Sequence, residues 1–359
     1  MRRLTRTLLP ACLALAMSLA ACGADGPDEA GSVKIAFIED LSGPDALEHV
    51  LPARRSVELA LRIAEITGAA GVTPELVPFD VVADPDALDE VVDDPAFVAA
   101  IVAPGAPSGA MLASRGLPTI SLSGLGGAPP HDAAWLRSVG SFDAVAEAIA
   151  DRVPSSATCV LSEGGSSGDL GYLVGKRLGT PASSIEPSAA RAAAHRSGCT
   201  TVVWVGGPNA GAEALLALEG SGVGFTGGDG LLGPDFLDAA GPAADGVAST
   251  CACSDVSTSL ELDVQRFIQD YQAEFGAPPG AYAVEAWDAA NLLLRALGGA
   301  EPSRDAVHRF VASVTEIHGL AQTYRFGPDG ELADPEGSVV TYSALGGRWS
   351  AAASEGPSG

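Results

Sequence analysis

The chain has 359 residues, of which 47% are hydrophobic, and it carries a formal net charge of −25 at pH 7. Residues 1–21 hold three arginines and no acid, so the remainder is more acidic still. Nucleic-acid phosphates and anionic lipid surfaces repel so acidic a chain, which argues against both as partners. About 330 residues with this apolar content are enough for two domains, each with a core of its own.

The N-terminal stretch has the pattern of an export signal. Three arginines among the first six residues precede an apolar run that ends at Ala21 and is too short to span a bilayer comfortably. Residues 19–22, Leu-Ala-Ala-Cys, resemble the lipobox of bacterial lipoproteins, which implies that residues 1–21 are removed and that the Cys22 thiol carries a diacylglyceryl group. The alternative is an ordinary signal peptide cleaved near Ala21. Residues 22–32 are small and polar and predict a flexible tether.

Beyond the tether, apolar strand-like runs alternate with segments whose apolar residues have helical spacing. The alternation begins again at about Ser141. Continuous apolar strands separated by amphipathic helices indicate parallel sheets covered on both faces, and two rounds indicate two α/β lobes. The predicted strands are residues 33–39, 75–82, 97–104, 117–123, 158–163 and 199–207, and the predicted helices are residues 53–67, 84–92, 108–116, 141–153, 167–179 and 209–222.

The C-terminal third has a different pattern. It contains three predicted helices at residues 259–276, 281–297 and 303–314, followed by a hairpin-like tail at 323–345. Gly-Pro-Asp-Gly at 327–330 is the predicted turn of that tail. The sequence contains no tandem repeat with a period of about 20–50 residues, which excludes solenoid and propeller folds.

Four cysteines follow Cys22, at positions 159, 199, 251 and 253. An even number in an exported protein favours disulfides, and the sequence alone leaves three possible pairings. A metal site at "CAC" is the other interpretation, but no second cysteine or histidine pair lies nearby at zinc-ligand spacing. We therefore expect neither a metal nor another cofactor.

Five parts of the sequence, in order along the chain, resemble the type I periplasmic binding proteins that serve branched-chain amino acid ABC importers. They are "VKIAFIEDLSGPDA", "FVAAIVAPGAPSGAM" followed by "GLPTISLSG", "FTGGDGLLGPDFLDAAGPAADGVAST", "AYAVEAWDAANLLLRAL" and "YRFGPDGEL". The resemblance implies an α/β fold with a ligand cleft between two Rossmann-like lobes of parallel sheet, joined by a three-segment hinge. Lobe 1 would comprise residues 33–139 and 254–318, lobe 2 residues 140–253 and 319–352, and residues 353–359 a disordered tail.

In that family, hydroxyl and backbone N–H groups from two loops of the first lobe bind the α-carboxylate of an amino acid. Carried over to this sequence, the first loop falls near Ser108 and the second on Ser123, Gly124 and Leu125. Leu125 stands where relatives usually have threonine. The resemblance therefore implies a carboxylate site that has lost one hydroxyl.

The second lobe of the family supplies tyrosines that close over the ligand side chain and an acid that binds the ammonium group. In this sequence Ser166 or Ser167 replaces the first tyrosine, and Gly207 replaces the second. Asp229 is the expected ammonium partner; its alternative role is to stabilise the turn in its glycine-rich loop. Because two aromatic walls and one hydroxyl are missing, we expect a small polar ligand, cationic or amine-bearing, rather than a leucine-like amino acid.

Cys159 and Cys199 each lie at the start of a strand in the implied second lobe. Neighbouring parallel strands are about 5 Å apart, so these two cysteines can form a disulfide if the registers match. Cys251 and Cys253 would then pair locally, near a hinge strand.

The resemblance implies a non-enzymatic function, in which an extracytoplasmic, lipid-anchored protein captures a small ligand and delivers it to the permease subunits of an ABC importer. The first alternative is a ligand-sensing surface receptor subunit of the same fold. The second is a secreted serine hydrolase, because residues 164–168 fit G-x-S-x-G between a strand and a helix, with Ser166 as nucleophile and His308 and His318 following. The sequence lacks the His-Gly oxyanion loop that such a hydrolase would use.

Overall fold

The computed structural model describes residues 33–43, 46–68, 71–130, 132–163, 166–299 and 302–351. The predicted signal peptide, the lipidation site at Cys22, the tether and the tail lie outside these residues. Two β-sheets form the framework of the described part. None of its helices is both long and apolar enough to cross a membrane.

Strands and helices alternate along most of the chain, as the sequence predicts. The strands are β1 Val33–Glu39, β2 Pro74–Asp80, β3 Phe97–Val102, β4 Thr119–Ser121, β5 Trp135–Arg137, β6 Thr158–Ser162, β7 Ser183–Ser184, β8 Thr201–Val205, β9 Gly224–Gly228, β10 Ala248–Cys251, β11 Glu316–His318, β12 Thr323–Arg325, β13 Val340–Leu345 and β14 Arg348–Ala351. The helices are α1 Leu51–Thr67, α2 Ala87–Asp93, α3 Gly109–Ser114, α4 Phe142–Ala150, α5 Ser166–Leu178, α6 Ala190–Ser197, α7 Pro208–Leu218, α8 Pro234–Ala240, α9 Leu262–Phe275, α10 Ala283–Leu297 and α11 Arg304–Ser313.

The first sheet has five strands in the order β2-β1-β3-β4-β5, and every neighbouring pair is parallel. All residues of β3 are buried, as expected for a central strand that is covered on both faces. Phe97, Ile101 and the neighbouring side chains of β1 belong to one apolar cluster with α10 and α11. The C-terminal helices therefore complete the first sheet, although they follow the second sheet in the sequence.

The second sheet has seven strands in the order β14-β13-β10-β9-β8-β6-β7. Neighbours from β7 to β10 pair in parallel, whereas β13 is antiparallel to both β10 and β14. Trp204 on β8 and Phe236 on α8 are fully buried in its core. The chain enters this sheet after β5, leaves it after β10 and returns at β13, so three segments connect the two sheets. The predicted α/β fold of two mainly parallel sheets is confirmed.

Strands β11 and β12 form a separate antiparallel hairpin. The hydroxyl of Tyr324 on β12 donates a 2.8 Å hydrogen bond to Asp288 Oδ2 on α10. The backbone N–H of Arg137 on β5 donates to the carbonyl of Gly330, at 2.9 Å. The segment between α11 and β13 is therefore attached to the first sheet and its helices.

Two disulfides lie at the second sheet. Cys159 on β6 is joined to Cys199, just before β8, with 5.8 Å between their Cα atoms. Cys251, the last residue of β10, is joined to Cys253 where the chain leaves the sheet. These are the two pairs expected from the sequence, and their formation in the isolated protein stays a prediction.

Candidate functional site

The predicted site residues lie in loops that follow strands of the two sheets. Ser108 comes after β3, and residues 123–125 come after β4. Gly207 comes after β8, and Asp229 comes directly after β9. Because the carboxyl ends of parallel strands meet at one edge of a sheet, such loops are where α/β proteins bind ligands. Contact of these residues with a ligand stays a prediction.

Ser108 stands immediately before α3 with a backbone φ of 83°. Among the described residues, only Ser108 and Tyr282 combine a side chain with a positive φ of this kind. The left-handed conformation costs such a residue on the order of 1 kcal/mol, so it persists where the surrounding structure imposes it. The half-buried Ser108 hydroxyl makes no capping hydrogen bond to α3, so helix capping does not explain the serine.

The loop after β4 is held by its own serine hydroxyls. Ser121 Oγ accepts a hydrogen bond from Ser123 N at 3.1 Å, and Ser123 Oγ accepts one from Leu125 N at 3.3 Å. Ser123 and Gly124 are buried, whereas Leu125 is half-buried. A Cβ on Gly124 would collide with the ring of Phe142, so glycine allows this loop to approach the start of α4. The Ser123 hydroxyl therefore orients the loop.

Gly207 lies at the N-terminus of α7, and its N–H donates to Glu163 Oε2 at 2.5 Å. Glu163 directly follows β6, so the contact joins the loops of two neighbouring strands. A Cβ on Gly206 would come within 2.6 Å of the same carboxylate oxygen. Gly206 therefore leaves the space that the Glu163 side chain occupies.

Ser166 and Ser167 are the first two residues of α5. Their side chains are not among those that the structure describes, and residues 164 and 165 lie outside the described residues. The predicted position of either serine beside a ligand, and Ser166 as a hydrolase nucleophile, remain untested.

Asp229 is half-buried, and its Oδ2 accepts a 2.5 Å hydrogen bond from the hydroxyl of Tyr282. Tyr282 is buried, has a φ of 62° and directly precedes α10. The buried His49 ring packs edge-on against the Tyr282 ring, with 5.3 Å between their centroids. A carboxylate from the second sheet is thus oriented by an aromatic side chain from the helices of the first.

Glu48 and His49 lie in a π-helical turn, Ala46–Val50, between β1 and α1. The pKa of Glu48 is raised, first by partial burial and then by the nearby Asp235 carboxylate, while His49 opposes the shift. A Cβ on Gly233 would collide with the Glu48 carboxylate. Glycine at this position therefore allows the turn after β1 to contact the loop after β9.

Four residues of these loops were not predicted from the sequence as site residues: Glu48, His49, Glu163 and Tyr282. Glu163 had a recognisable signal, because it is a charged residue directly after a buried strand. Pro-Pro-Gly at 278–280 interrupts the helical pattern just before Tyr282, which indicates a constrained loop there. No group of three or more metal-ligating side chains lies together in the part of the chain that the structure describes.

Comparison with known proteins gives one family. The family model for periplasmic binding proteins matches residues 32–343. No curated protein sequence gives a significant match.

Solved structures share the fold at low sequence identity. A possible leucine/isoleucine/valine-binding protein from Rhodopirellula baltica SH 1 is 15% identical, with 92% of this chain and 98% of that chain covered and a TM-score of 0.73. The branched-chain amino acid transporter substrate-binding protein LivJ from Streptococcus pneumoniae, solved with isoleucine, is 16% identical, with 89% of this chain and 99% of that chain covered and a TM-score of 0.69. An ABC transporter substrate-binding protein from Desulfitobacterium hafniense, solved with leucine, is 18% identical, with 89% of this chain and 99% of that chain covered and a TM-score of 0.62.

The family model covers the first sheet, the second sheet as far as part of β13, and the three segments that connect the two sheets. The resemblance seen in the sequence is therefore confirmed, and the chain belongs to the periplasmic binding protein family.

Proposed function

We propose that this protein is an extracytoplasmic, lipid-anchored solute-binding protein, which captures a small amine-bearing ligand between its two sheets and delivers it to an ABC importer. Family membership supports the capture of a solute. The relatives from Streptococcus pneumoniae and Desulfitobacterium hafniense were solved with isoleucine and leucine. The ligand class proposed for this chain differs, for the reasons that follow.

The observation that carries the ligand class is the Asp229 carboxylate, which the Tyr282 hydroxyl holds in place. Glu163 adds a second carboxylate after β6, which lies on the other side of β8 from β9 in the same sheet. Charge-assisted hydrogen bonds between a carboxylate and an ammonium group are among the stronger polar contacts that a site can offer. Two carboxylates at the strand ends favour a ligand with one or more amines.

The first-sheet loops favour a departure from leucine-like ligands. Leu125 offers no hydroxyl, so this loop has one donor fewer for an α-carboxylate. A carboxylate that loses such a partner is incompletely solvated on binding. Recognition of the ammonium end would then contribute more than recognition of the carboxylate end.

Calorimetry of the purified protein with lysine, putrescine and leucine tests this proposal. We expect lysine or putrescine to bind, and Asp229→Asn to weaken the tighter of the two by at least about tenfold, because the charge pair with the ammonium group is lost. Asp238→Asn is the matched control, since Asp238 is exposed on α8. Tight binding of leucine, isoleucine or valine, or equal affinity in wild type and Asp229→Asn, would contradict the proposed ligand class.

Lipid anchoring depends on Cys22. We expect Cys22→Ala to release the protein into the medium or to leave it unprocessed, because the thiol that would carry the lipid is gone. Membrane fractionation of cells that express wild type and variant measures this. A Cys22→Ala protein that is processed and stays with the membrane at the wild-type level would refute the anchor.

Delivery to an importer is tested by uptake. Cells that lack this protein should take up the radiolabelled ligand identified by calorimetry more slowly, and wild-type protein should restore uptake where Asp229→Asn does not. Unchanged uptake would favour a sensing role instead.

The division into lobes also remains a proposal. Residues 33–139 and 254–318 form lobe 1 in this division, and residues 140–253 and 319–352 form lobe 2. The hydrogen bonds of Tyr324 with Asp288 and of Gly330 with Arg137 support a boundary nearer β13 than residue 319.

A further inference from the structure

A cavity lies beside the segment that leaves the second sheet after β10. Its volume is about 480 Å³, within the range of about 300–1,000 Å³ that is usual for small-molecule sites. Residues 253–257 form one wall, and we call it the hinge cavity. The opposite walls come from both sides of the molecule. Residues 232–234 and Leu237 contribute from the loop after β9 and from α8, and residues 278–281 and Val284 contribute from the loop before α10 and its first turn.

The walls of the hinge cavity are largely apolar. Leu232, Leu237, Val256, Ile268 and Val284 contribute aliphatic side chains. Trp349 closes one side: its ring packs 5.6 Å from that of Phe236, and its Nε1 donates to the carbonyl of Gly233 at 3.2 Å. An apolar enclosure of this size favours a ligand with a compact hydrocarbon body.

The charged side chains that line the hinge cavity are Glu48 and Asp255, and its described lining includes no lysine, arginine or histidine. Glu48 is half-buried, and the Asp235 carboxylate lies near enough to disfavour its ionisation. Asp255 is also half-buried, and its Oδ1 accepts a hydrogen bond from Ser257 N at 2.9 Å. A cation in the hinge cavity would relieve the repulsion between Glu48 and Asp235, whereas an anion would add to it.

The hinge cavity differs from the strand-end site. Ser108, Ser123, Gly207 and Asp229 do not line it. Tyr282 does not line it either, although the nearby Ala281 and Val284 do, so both partners of the hydrogen bond between Tyr282 and Asp229 lie outside this cavity's lining. A ligand in the hinge cavity would leave the proposed ammonium partner of the main site unoccupied.

We propose that the hinge cavity is a second ligand site, and that it takes a compact organic cation with an apolar body, such as an arylalkylamine. The apolar walls bury the hydrocarbon, and Glu48 and Asp255 bind the ammonium group. Because loops and helices from both sides of the molecule line the cavity, a bound amine contacts both sides. It stabilises the folded chain by an amount that rises with the logarithm of the amine concentration once that exceeds the dissociation constant.

Titration of the full chain with 2-phenylethylamine tests the proposal, with 2-phenylethanol and 3-phenylpropanoate as neutral and anionic probes of similar shape. We expect the amine to bind at least about tenfold more tightly than the alcohol, and the anion not to bind. Glu48→Gln and Asp255→Asn should each weaken amine binding by about fivefold, as expected for one partly solvated charge pair. Asp229→Asn should leave amine binding in the hinge cavity intact.

Two filling variants locate the amine. Ala281→Leu and Ser257→Leu each add volume at the lining and should abolish amine binding. Because Ser257 is exposed, we expect its variant to fold. Circular dichroism checks the folding of both variants. Equal binding of amine and alcohol, or no amine binding, would overturn the proposal. Amine binding that survives both filling variants but is lost in Asp229→Asn would also overturn it, by locating the amine at the strand-end site. If the wild-type protein binds 2-phenylethylamine but neither lysine nor putrescine, only the proposal for the strand-end site is contradicted.

Discussion

Glu285 makes the stability of this protein depend on pH. It lies on α10, fully buried, and its Oε1 accepts a 2.6 Å hydrogen bond from the backbone N–H of Ser254, in the segment that leaves the second sheet. Burial raises its pKa from 4.5 to about 7, and the hydrogen bonds it accepts only partly oppose this shift. Asp288, one turn further along α10, raises it slightly.

The sign and size of the effect follow from this shift. The folded chain holds the Glu285 proton between pH 4.5 and about 7, whereas the unfolded chain releases it. The free energy of unfolding therefore has its full contribution from Glu285 below pH 4.5, and it decreases as pH rises through the folded pKa. At about 1.4 kcal/mol for each pKa unit, the loss is about 3 kcal/mol.

Other groups that face Glu285 also titrate or carry charge. Burial raises the pKa of Asp288 on the same helix, and it raises those of Tyr324 and Tyr342, which both interact with Glu285. The measurement must therefore compare wild type with a variant rather than use one curve alone. Glu285→Gln keeps an oxygen that can accept from Ser254 and removes only the titration.

Urea unfolding between pH 4.5 and 8.5 measures the effect. We expect the unfolding free energy of wild type, minus that of Glu285→Gln, to fall by about 3 kcal/mol across this range. Glu261→Gln, an exposed position just before α9, should give a constant difference from wild type. A constant difference for Glu285→Gln as well would refute the reasoning.

Two further predictions concern the contacts that join parts of the chain. Tyr282→Phe removes the 2.5 Å hydrogen bond to Asp229 and should lower the unfolding free energy by about 1–2 kcal/mol. Tyr172→Phe, at an exposed tyrosine, should leave the unfolding free energy unchanged. Equal urea midpoints for the two variants would show that the hydrogen bond does not stabilise the fold. Mass mapping of unreduced peptides should yield two linked pairs, Cys159–Cys199 and Cys251–Cys253. A link between Cys159 and Cys251 would contradict this pairing.

The sequence predicts the framework because burial on both faces leaves a direct pattern. The run from Phe97 to Val102 is apolar throughout and is buried throughout, as a central parallel strand requires. Ser108, Ser123 and Gly207 lie in loops after such runs, whereas Asp229 follows β9, whose glycine-rich sequence has no such pattern. The resemblance to the family, rather than the apolar pattern, implied these four positions.

The sequence does not predict the contacts between these loops. Tyr282 and Asp229 are 53 residues apart, and their spacing carries no periodic signal. Glu163 was predicted as the last residue of a strand. Its contact with Gly207 leaves no signal in the sequence, because the partner is a backbone N–H that any residue except proline would offer at that position. The hairpin around 327–330 was only partly right, because β12 pairs with β11 and β13 pairs with β10 and β14.

Backbone conformation adds a further argument for where function lies. Many of the described turns that need a positive φ have glycine, whereas Ser108 and Tyr282 adopt it with a side chain. Glycine would relieve a cost of about 1 kcal/mol at each position, but glycine at 282 would remove the hydroxyl that orients Asp229. The fold therefore accepts local strain at Tyr282 because the side chain is needed at that point. Ser108 has the same backbone strain without a capping role, which makes its hydroxyl the first group of the first-sheet loops to examine for contact with a bound ligand.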